Sequence, residues 1–235
     1  RPAVPCGVFV SVCGPPVFPH RRHSPSRRAT SLPVLLPRPL RDAVPTEHVF
    51  RLFTPYAMPR MTTASDAETL LGELRRDADT FRNFAQLSDE TAEGRFYSRV
   101  IETMELAATS PLLMWMLSDN HNVPHDQVAI GLNALESWVI RRTLLRLTMK
   151  DVNKLMVTIL KMLDKTGVDT PGDAVRDFLA AQTADARNWP PDATLKAQLP
   201  GMRLYGSIRQ SRLRVVLGAV ALRLRTPRTE AAALP

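Results

Sequence analysis

Cysteine is nearly absent from this sequence of 235 residues, and both cysteines, Cys6 and Cys13, lie near its N-terminal end. The rest of the chain therefore offers neither a disulfide framework nor a zinc site with cysteine ligands. No apolar run reaches the roughly 18 residues that a membrane-spanning helix requires. The sequence thus predicts a soluble chain with no membrane partner, and its lack of disulfides is compatible with a reducing, cytoplasmic location.

Motifs that carry catalysis are also missing. The sequence has no phosphate-cradling glycine-rich loop, no Gly-x-Ser-x-Gly elbow and no His-Glu-x-x-His zinc helix. His121 and His125 have the spacing of two ligands on one helix face, but Pro124 places them in a turn, and the only nearby carboxylates are Asp119 and Asp126. We therefore predict no catalytic, cofactor-binding or metal-binding residue in this chain.

Acidic residues are scarce at both ends of the chain. Residues 1–60 carry a net charge of +7, residues 61–202 carry −5 and residues 203–235 carry +6. The net charge of +8 therefore describes two basic ends around an acidic middle. An argument for nucleic-acid binding from the whole-chain charge would be misleading.

Residues 1–60 contain 12 of the 20 prolines, together with nine arginines. Each proline removes a backbone donor and disfavours a helix at the residue before it. We expect a disordered Pro/Arg-rich leader, with the natural start at Met58 or Met61 and upstream sequence read through in frame. The alternative is an organellar transit peptide, which is also rich in arginine and poor in acids but is usually an amphipathic helix.

Residues 61–235 show helical periodicity and no alternating strand pattern. We predict an all-α, multi-helix bundle of about eight helices. Ser65 and Glu68 have the spacing of a capping box for the first helix, and Gly167 is placed to end the fifth. The caps or first residues of the predicted helices are Ser65, Gly94, Pro111, Pro124, Thr148, Thr170, Asp192 and Ser207.

The predicted helix from Pro124 to about Leu147 is apolar on nearly all sides, which is typical of a buried helix. It places Trp138 in the core. Arg142 and Arg146 lie in its last two turns, on the same line as its most regular apolar stripe. One interpretation is that they complement the helix C-terminus and pair with acids such as Glu102 or Glu105. The other is that they contact an anionic ligand or a missing domain.

The last predicted helix is basic. Arg209, Arg212 and Arg223 are candidates for contacts with nucleic acid or with another domain. We favour a packed helix with solvated arginines over phosphate contacts, because no Tyr or Phe is interleaved for base stacking. The apolar stripe that would pack is Leu213, Val216, Leu217, Val220 and Leu224.

Six short segments between about residues 75 and 230 resemble the central helical region of GmrSD-type restriction proteins. They are LESWVIRR at 135–142, LTMKDVNKL at 147–155, FYSRVIE at 96–102, SPLL at 110–113, Trp189-Pro190 with Asp192, and Leu204-Tyr205. Members of this family resemble three-part proteins, in which an N-terminal ParB-like domain handles NTP and a C-terminal His-metal (HNH) domain cuts DNA. They act in modification-dependent defence against phage.

The resemblance implies a fragment of such a DNA restriction protein: the helical scaffold between the two catalytic domains. The Asp-Gly-Gln-Gln-Arg motif of the NTP-handling domain and the Ile-Glu-His-x-x-Pro motif of the nuclease are both missing. NTP and a divalent metal are therefore implied only for full-length relatives, and the partners implied here are DNA and the two missing domains. The alternative is a stand-alone helical adaptor or DNA-binding module that uses the basic C-terminal helix.

Overall fold

The computed structural model describes residues 53–55, 57–166 and 169–224, and within these ranges the protein is all-α, as predicted. From residue 64 onward, the described residues form eight α-helices and one π-helix; residues 53–55 are also helical, and the described residues contain no β-strand. The α-helices are α1 (Ala64–Asn83), α2 (Ala92–Phe96), α3 (Ser110–Met116), α4 (His125–Leu144), α5 (Val152–Thr166), α6 (Pro171–Ala180), α7 (Asp192–Gln198) and α8 (Gln210–Leu224). No described helix combines the length and the apolar character needed to cross a bilayer.

The predicted leader falls mostly outside the described residues. Its last part is described, and Met58–Arg60 forms a 3-10 turn directly before α1. Ala57 is buried, and its carbonyl accepts a hydrogen bond from the Met61 N–H at 3.1 Å. The packed structure therefore includes a few residues before Met61.

The capping box of α1 lies two residues earlier than predicted, at Thr63 and Asp66. The Asp66 N–H donates to Thr63 Oγ1 at 3.2 Å, and the Thr63 N–H donates to the Asp66 carboxylate at 2.9 Å. These groups bond two of the free N–H groups at the helix start. Hydrogen bonds from Thr62 and Thr63 also lower the pKa of Asp66. Ser65 instead lies inside the first turn.

The second helix begins two residues before the predicted Gly94 and changes its winding along its length. It begins at Ala92, where Thr91 Oγ1 caps it by accepting from the Gly94 N–H at 3.2 Å, and it continues as a π-helix, Tyr97–Thr103. Gly94 is required inside it, because a Cβ there would lie 2.0 Å from the Ser88 carbonyl oxygen. The winding ends where Glu105 adopts a left-handed φ of 59°.

The core forms around α4, as its apolar character predicts. Trp138 is 1% exposed, and its indole Nε1–H donates to the Arg187 carbonyl at 2.8 Å. Helix α5 has an apolar stripe at helical spacing, Val152, Leu155, Met156, Ile159 and Leu163; the last four are buried against α4 and its neighbours, and Val152 is partly buried. Gly167, the predicted end of α5, lies outside the described residues.

Helix α6 packs very closely against α4. The Gly172 Cα lies 3.2 Å from the position that a Cβ on Gly131 would occupy, and a Cβ on Gly172 would lie 1.9 Å from the Gln127 carbonyl oxygen. The Gln127 side chain also bonds Asp173, donating to its carboxylate at 3.0 Å and accepting from its N–H at 3.1 Å. The glycines therefore allow a backbone approach that larger residues would prevent.

Candidate functional site

Arg142 is the most deeply buried charged side chain among the described residues, with no measurable exposure. It lies in the last turn of α4 and donates four hydrogen bonds, which join three parts of the chain. Nη1 bonds the main-chain oxygen of Asn188 at 2.8 Å and its side-chain oxygen at 2.6 Å. Nη2 bonds the carbonyls of Thr148 at 2.8 Å and Asp185 at 3.0 Å. The planar guanidinium thus fastens the loops at 145–151 and 181–191 to the end of α4.

The environment of Arg142 is mainly one of neutral oxygen atoms. Burial lowers the pKa of Arg142, and the negative charge of Asp185 opposes that shift. The guanidinium carbon also lies 5.1 Å from the centre of the Trp138 ring, an arrangement that favours a cation. The interpretation that Arg142 pairs with Glu102 or Glu105 is wrong, because within the described part of the chain no hydrogen bond or ion pair joins it to either residue.

Further contacts hold the 181–191 loop in the same place. Arg141 Nη1 donates to the Pro190 carbonyl at 3.0 Å and forms an ion pair with Asp192. Arg187 forms an ion pair with Asp151, just before α5. We call this set of contacts around Arg142 the Arg142 junction; its members are Trp138, Arg141, Arg142, Thr148, Asp151, Asp185, Arg187, Asn188, Pro190 and Asp192.

Arg146 does not belong to the junction. Helix α4 ends at Leu144, and Arg146 has a left-handed φ of 58°, so it leaves the helical line on which it was predicted. Its side chain is exposed. The two arginines that share a line in the sequence pattern are therefore separated into one buried and one solvated residue.

Arg209 and Arg212, the candidates near the start of α8, both contact Glu105. Arg209 Nη1 lies 2.8 Å from each carboxylate oxygen. Arg212 Nη2 lies 3.3 Å from one of these oxygens and 3.0 Å from the Met104 carbonyl. Ion pairs with this much solvent exposure contribute little to stability, but they orient α8 on the segment that follows the π-helix. The side chain of Arg223 lies outside the described residues.

The described residues of the α8 stripe differ in burial, and Val216 is partly buried, while the side chain of Leu224 lies outside the described residues. Leu213 is 4% exposed, whereas Leu217 is 48% and Val220 is 49% exposed. The prediction that the apolar stripe packs is therefore wrong for Leu217 and Val220. The helix also starts at Gln210 rather than Ser207, because the N–H groups of Ser207 and Ile208 bond the Leu204 carbonyl in a turn.

The two histidines considered as metal ligands have other contacts. The His121 ring stacks on Trp115, with the ring centres 4.1 Å apart. His125 Nδ1 lies 3.1 Å from the carboxylate of Glu93, which is buried. Within the described residues, no group of three or more potential ligands is close enough to hold a metal ion.

Comparison of the chain with protein-family models, with curated proteins and with solved structures found no match. The choice of the Arg142 junction as the candidate site therefore rests only on contacts within this chain. Sequence reasoning singled out Arg142 but missed the loop that surrounds it. Three of the four acceptors are main-chain carbonyls, and the fourth is the side-chain oxygen of Asn188. Because every residue has a main-chain carbonyl, the sequence does not show which carbonyls accept from Arg142.

Proposed function

We propose that the described helices are the central scaffold of a GmrSD-type, modification-dependent DNA restriction protein. In this role the scaffold joins an NTP-handling ParB-like domain to a metal-dependent nuclease domain. Binding of NTP, metal and DNA then belongs to the domains that it joins. The proposed function rests on the sequence resemblance. The structure supports it because the resembling segments contact one another.

The observation that carries the proposal is that four of these segments contact one another. Arg99, in the segment at 96–102, forms an ion pair with Glu136 at 2.9 Å. In the same segment as Glu136, Arg142 bonds the Thr148 carbonyl of the segment at 147–155. Arg141 bonds the Pro190 carbonyl, 49 residues along the chain.

These contacts bear on whether the resemblance reflects a shared fold. A match confined to exposed helix faces arises easily from helical composition alone. Here two of the contacts join matching segments 37 and 49 residues apart, and a third joins neighbouring segments, so the resembling residues take part in the packing of the bundle. Only the Leu204-Tyr205 segment differs in character, since Tyr205 is 69% exposed.

The junction also suits a scaffold. The end of α4 and the starts of α5 and α7 are joined by charge-assisted hydrogen bonds through one loop, which restricts their relative motion. Domains attached to such a unit keep a defined spacing.

The direct test is a graft. Residues 53–235 replace the helical region of a GmrSD-type protein, and the plating efficiency of a phage with modified DNA is compared with that of a phage with unmodified DNA. We expect the graft to restrict only the modified phage. A graft that accumulates as folded protein but restricts neither phage contradicts the proposal.

Two variants of the graft serve as controls. Arg142→Ala breaks the junction and should abolish restriction. Arg82→Ala removes only an exposed ion pair to Asp79 on α1 and should leave restriction unchanged. Restriction that survives Arg142→Ala would show that the junction is not needed for the scaffold role.

The alternative, a DNA-binding module, is weakened by the contacts of Arg209 and Arg212 with Glu105. Duplex binding by the protein should therefore be weak, at about 10⁻⁴ to 10⁻⁶ M at physiological salt. A salt titration of duplex binding, with and without the triple change Arg209→Gln, Arg212→Gln and Arg223→Gln, measures this. Submicromolar binding that the triple change abolishes would favour the DNA-binding module, with a log–log salt slope of about −0.9 per phosphate contact.

A further inference from the structure

A half-open cleft of about 440 Å³ lies at the N-terminal end of α4. It is separate from the Arg142 junction, because the 18 residues between Pro124 and Arg142 extend over roughly 27 Å of helix. The turn before α4, the end of α5 and the start of α6 form its walls. The residues that determine its chemistry are Trp115, Asn120, His121, Asn122, Asp164 and Asp169.

One wall of the cleft is aromatic and held in place. The rings of Trp115 and His121 are stacked, with 11° between their planes. The Trp115 Nε1–H donates to the Asp164 carboxylate at 2.8 Å. Trp115 is only 7% exposed, so a ring that is itself fixed by packing holds both His121 and Asp164. The aromatic surface and the carboxylate are therefore fixed before any ligand binds.

Carboxylates predominate among the charged groups of the cleft. Asp164 and Asp169 line it together with the amides of Asn120 and Asn122, and His121 is the one basic side chain among the lining residues, all of which are described. A concave surface in which carboxylates predominate attracts cations. Pockets of this size hold small organic molecules, which a few polar groups orient.

We infer that this cleft binds a small, flat organic cation of the amidinium or guanidinium type. Its planar body lies along the aromatic wall at His121, and its N–H groups donate to the carboxylates of Asp164 and Asp169. A planar, forked donor matches a carboxylate better than a compact ammonium does. The amides of Asn120 and Asn122 provide further donors and acceptors at the edge.

The probe for this site is benzamidine, and its neutral counterpart of the same shape is benzamide. Binding of each to the full chain is measured by titration calorimetry and by the shift in Tm. We expect benzamidine to bind and to raise Tm, with benzamide at least about tenfold weaker because it lacks the charge. Equal binding of the two compounds, or no benzamidine binding at 10 mM, would overturn the inference.

Three variants locate the site. Asp169→Asn removes one exposed charge and should weaken benzamidine about fivefold or more. Asp164→Asn should do the same while its side-chain oxygen still accepts from Trp115. The control Asp79→Asn, on the exposed face of α1, should leave binding unchanged. Benzamidine binding that neither cleft variant weakens would place the compound elsewhere and contradict the inference.

Discussion

Replacing Arg142 with alanine should destabilise the protein more than any other change of a described charged residue. The change removes four hydrogen bonds and leaves the oxygens of Asn188, Thr148 and Asp185 without their donor. Each hydrogen bond to a charged group contributes about 1.5 to 3 kcal/mol, and a buried polar group left without a partner costs about 1 to 3 kcal/mol.

The full sum of these terms overstates the effect. Burying the guanidinium already costs free energy in the native protein, and its Nε has no acceptor among the described residues. Water can also enter the space that alanine leaves. We therefore expect Arg142→Ala to lower the free energy of unfolding by about 3 to 5 kcal/mol, the range for breaking a buried charged network. This is a large part of the roughly 5 to 15 kcal/mol that stabilises a typical domain.

The assay is urea unfolding followed by circular dichroism. Its matched control is the neighbouring Arg141→Ala, which removes a cation that contacts the same loop. The side chain of Arg141 is 25% exposed, and that of its acidic partner, Asp192, is 69% exposed. That change should cost about 1 kcal/mol. Arg142→Lys keeps the charge without the planar fork and should lie between the two. An Arg142→Ala protein within 1 kcal/mol of the native protein would refute the reasoning.

Two further pairs of variants test the fold. Gly172→Ala should cost about 3 kcal/mol or prevent folding, because its Cβ would meet the Gln127 carbonyl at 1.9 Å, whereas Gly201→Ala, with no atom within 4 Å of its Cβ, should be nearly neutral. Thermal unfolding distinguishes these outcomes, and equal Tm values for both variants would contradict the close packing. Thr63→Ala should cost about 1 kcal/mol as the loss of an N-cap, while Ser65→Ala should have little effect. If urea unfolding showed a larger loss of stability for Ser65→Ala than for Thr63→Ala, Ser65 and not Thr63 would be the N-cap.

The sequence predicts those parts of the fold that depend on periodicity. The apolar stripe of α5 identifies its buried face, because only one orientation of the helix turns the stripe to the core, and the helix around Trp138 is predicted to be buried because it is apolar on nearly all sides. The cap of α1 was misplaced because Thr63 with Asp66 and Ser65 with Glu68 have the same spacing, and sequence alone does not choose between overlapping boxes.

The candidate site was less predictable. The oxygens that bond Arg142 come mostly from the main chain, so no pattern of acidic residues in the sequence predicts them. The π-helical winding at 97–103 also has no residue signature, and it determines where Glu105 meets α8. Exposure of Leu217 and Val220 follows from tertiary packing, which a helical stripe does not specify.

We propose that the segments on which the proposed function rests, at 96–102, 135–142, 147–155 and 189–192, form one cooperative unit around Arg142. Native-state hydrogen exchange tests it most directly at Arg187 and Asn188, whose N–H groups bond the Ala184 carbonyl at 2.8 and 2.7 Å. We predict that these loop amides exchange with the same opening free energy as amides in the middle of α4, and that Arg142→Ala removes their protection. Loop amides that exchange at nearly the unprotected rate in the native protein, while α4 stays protected, would contradict the claim.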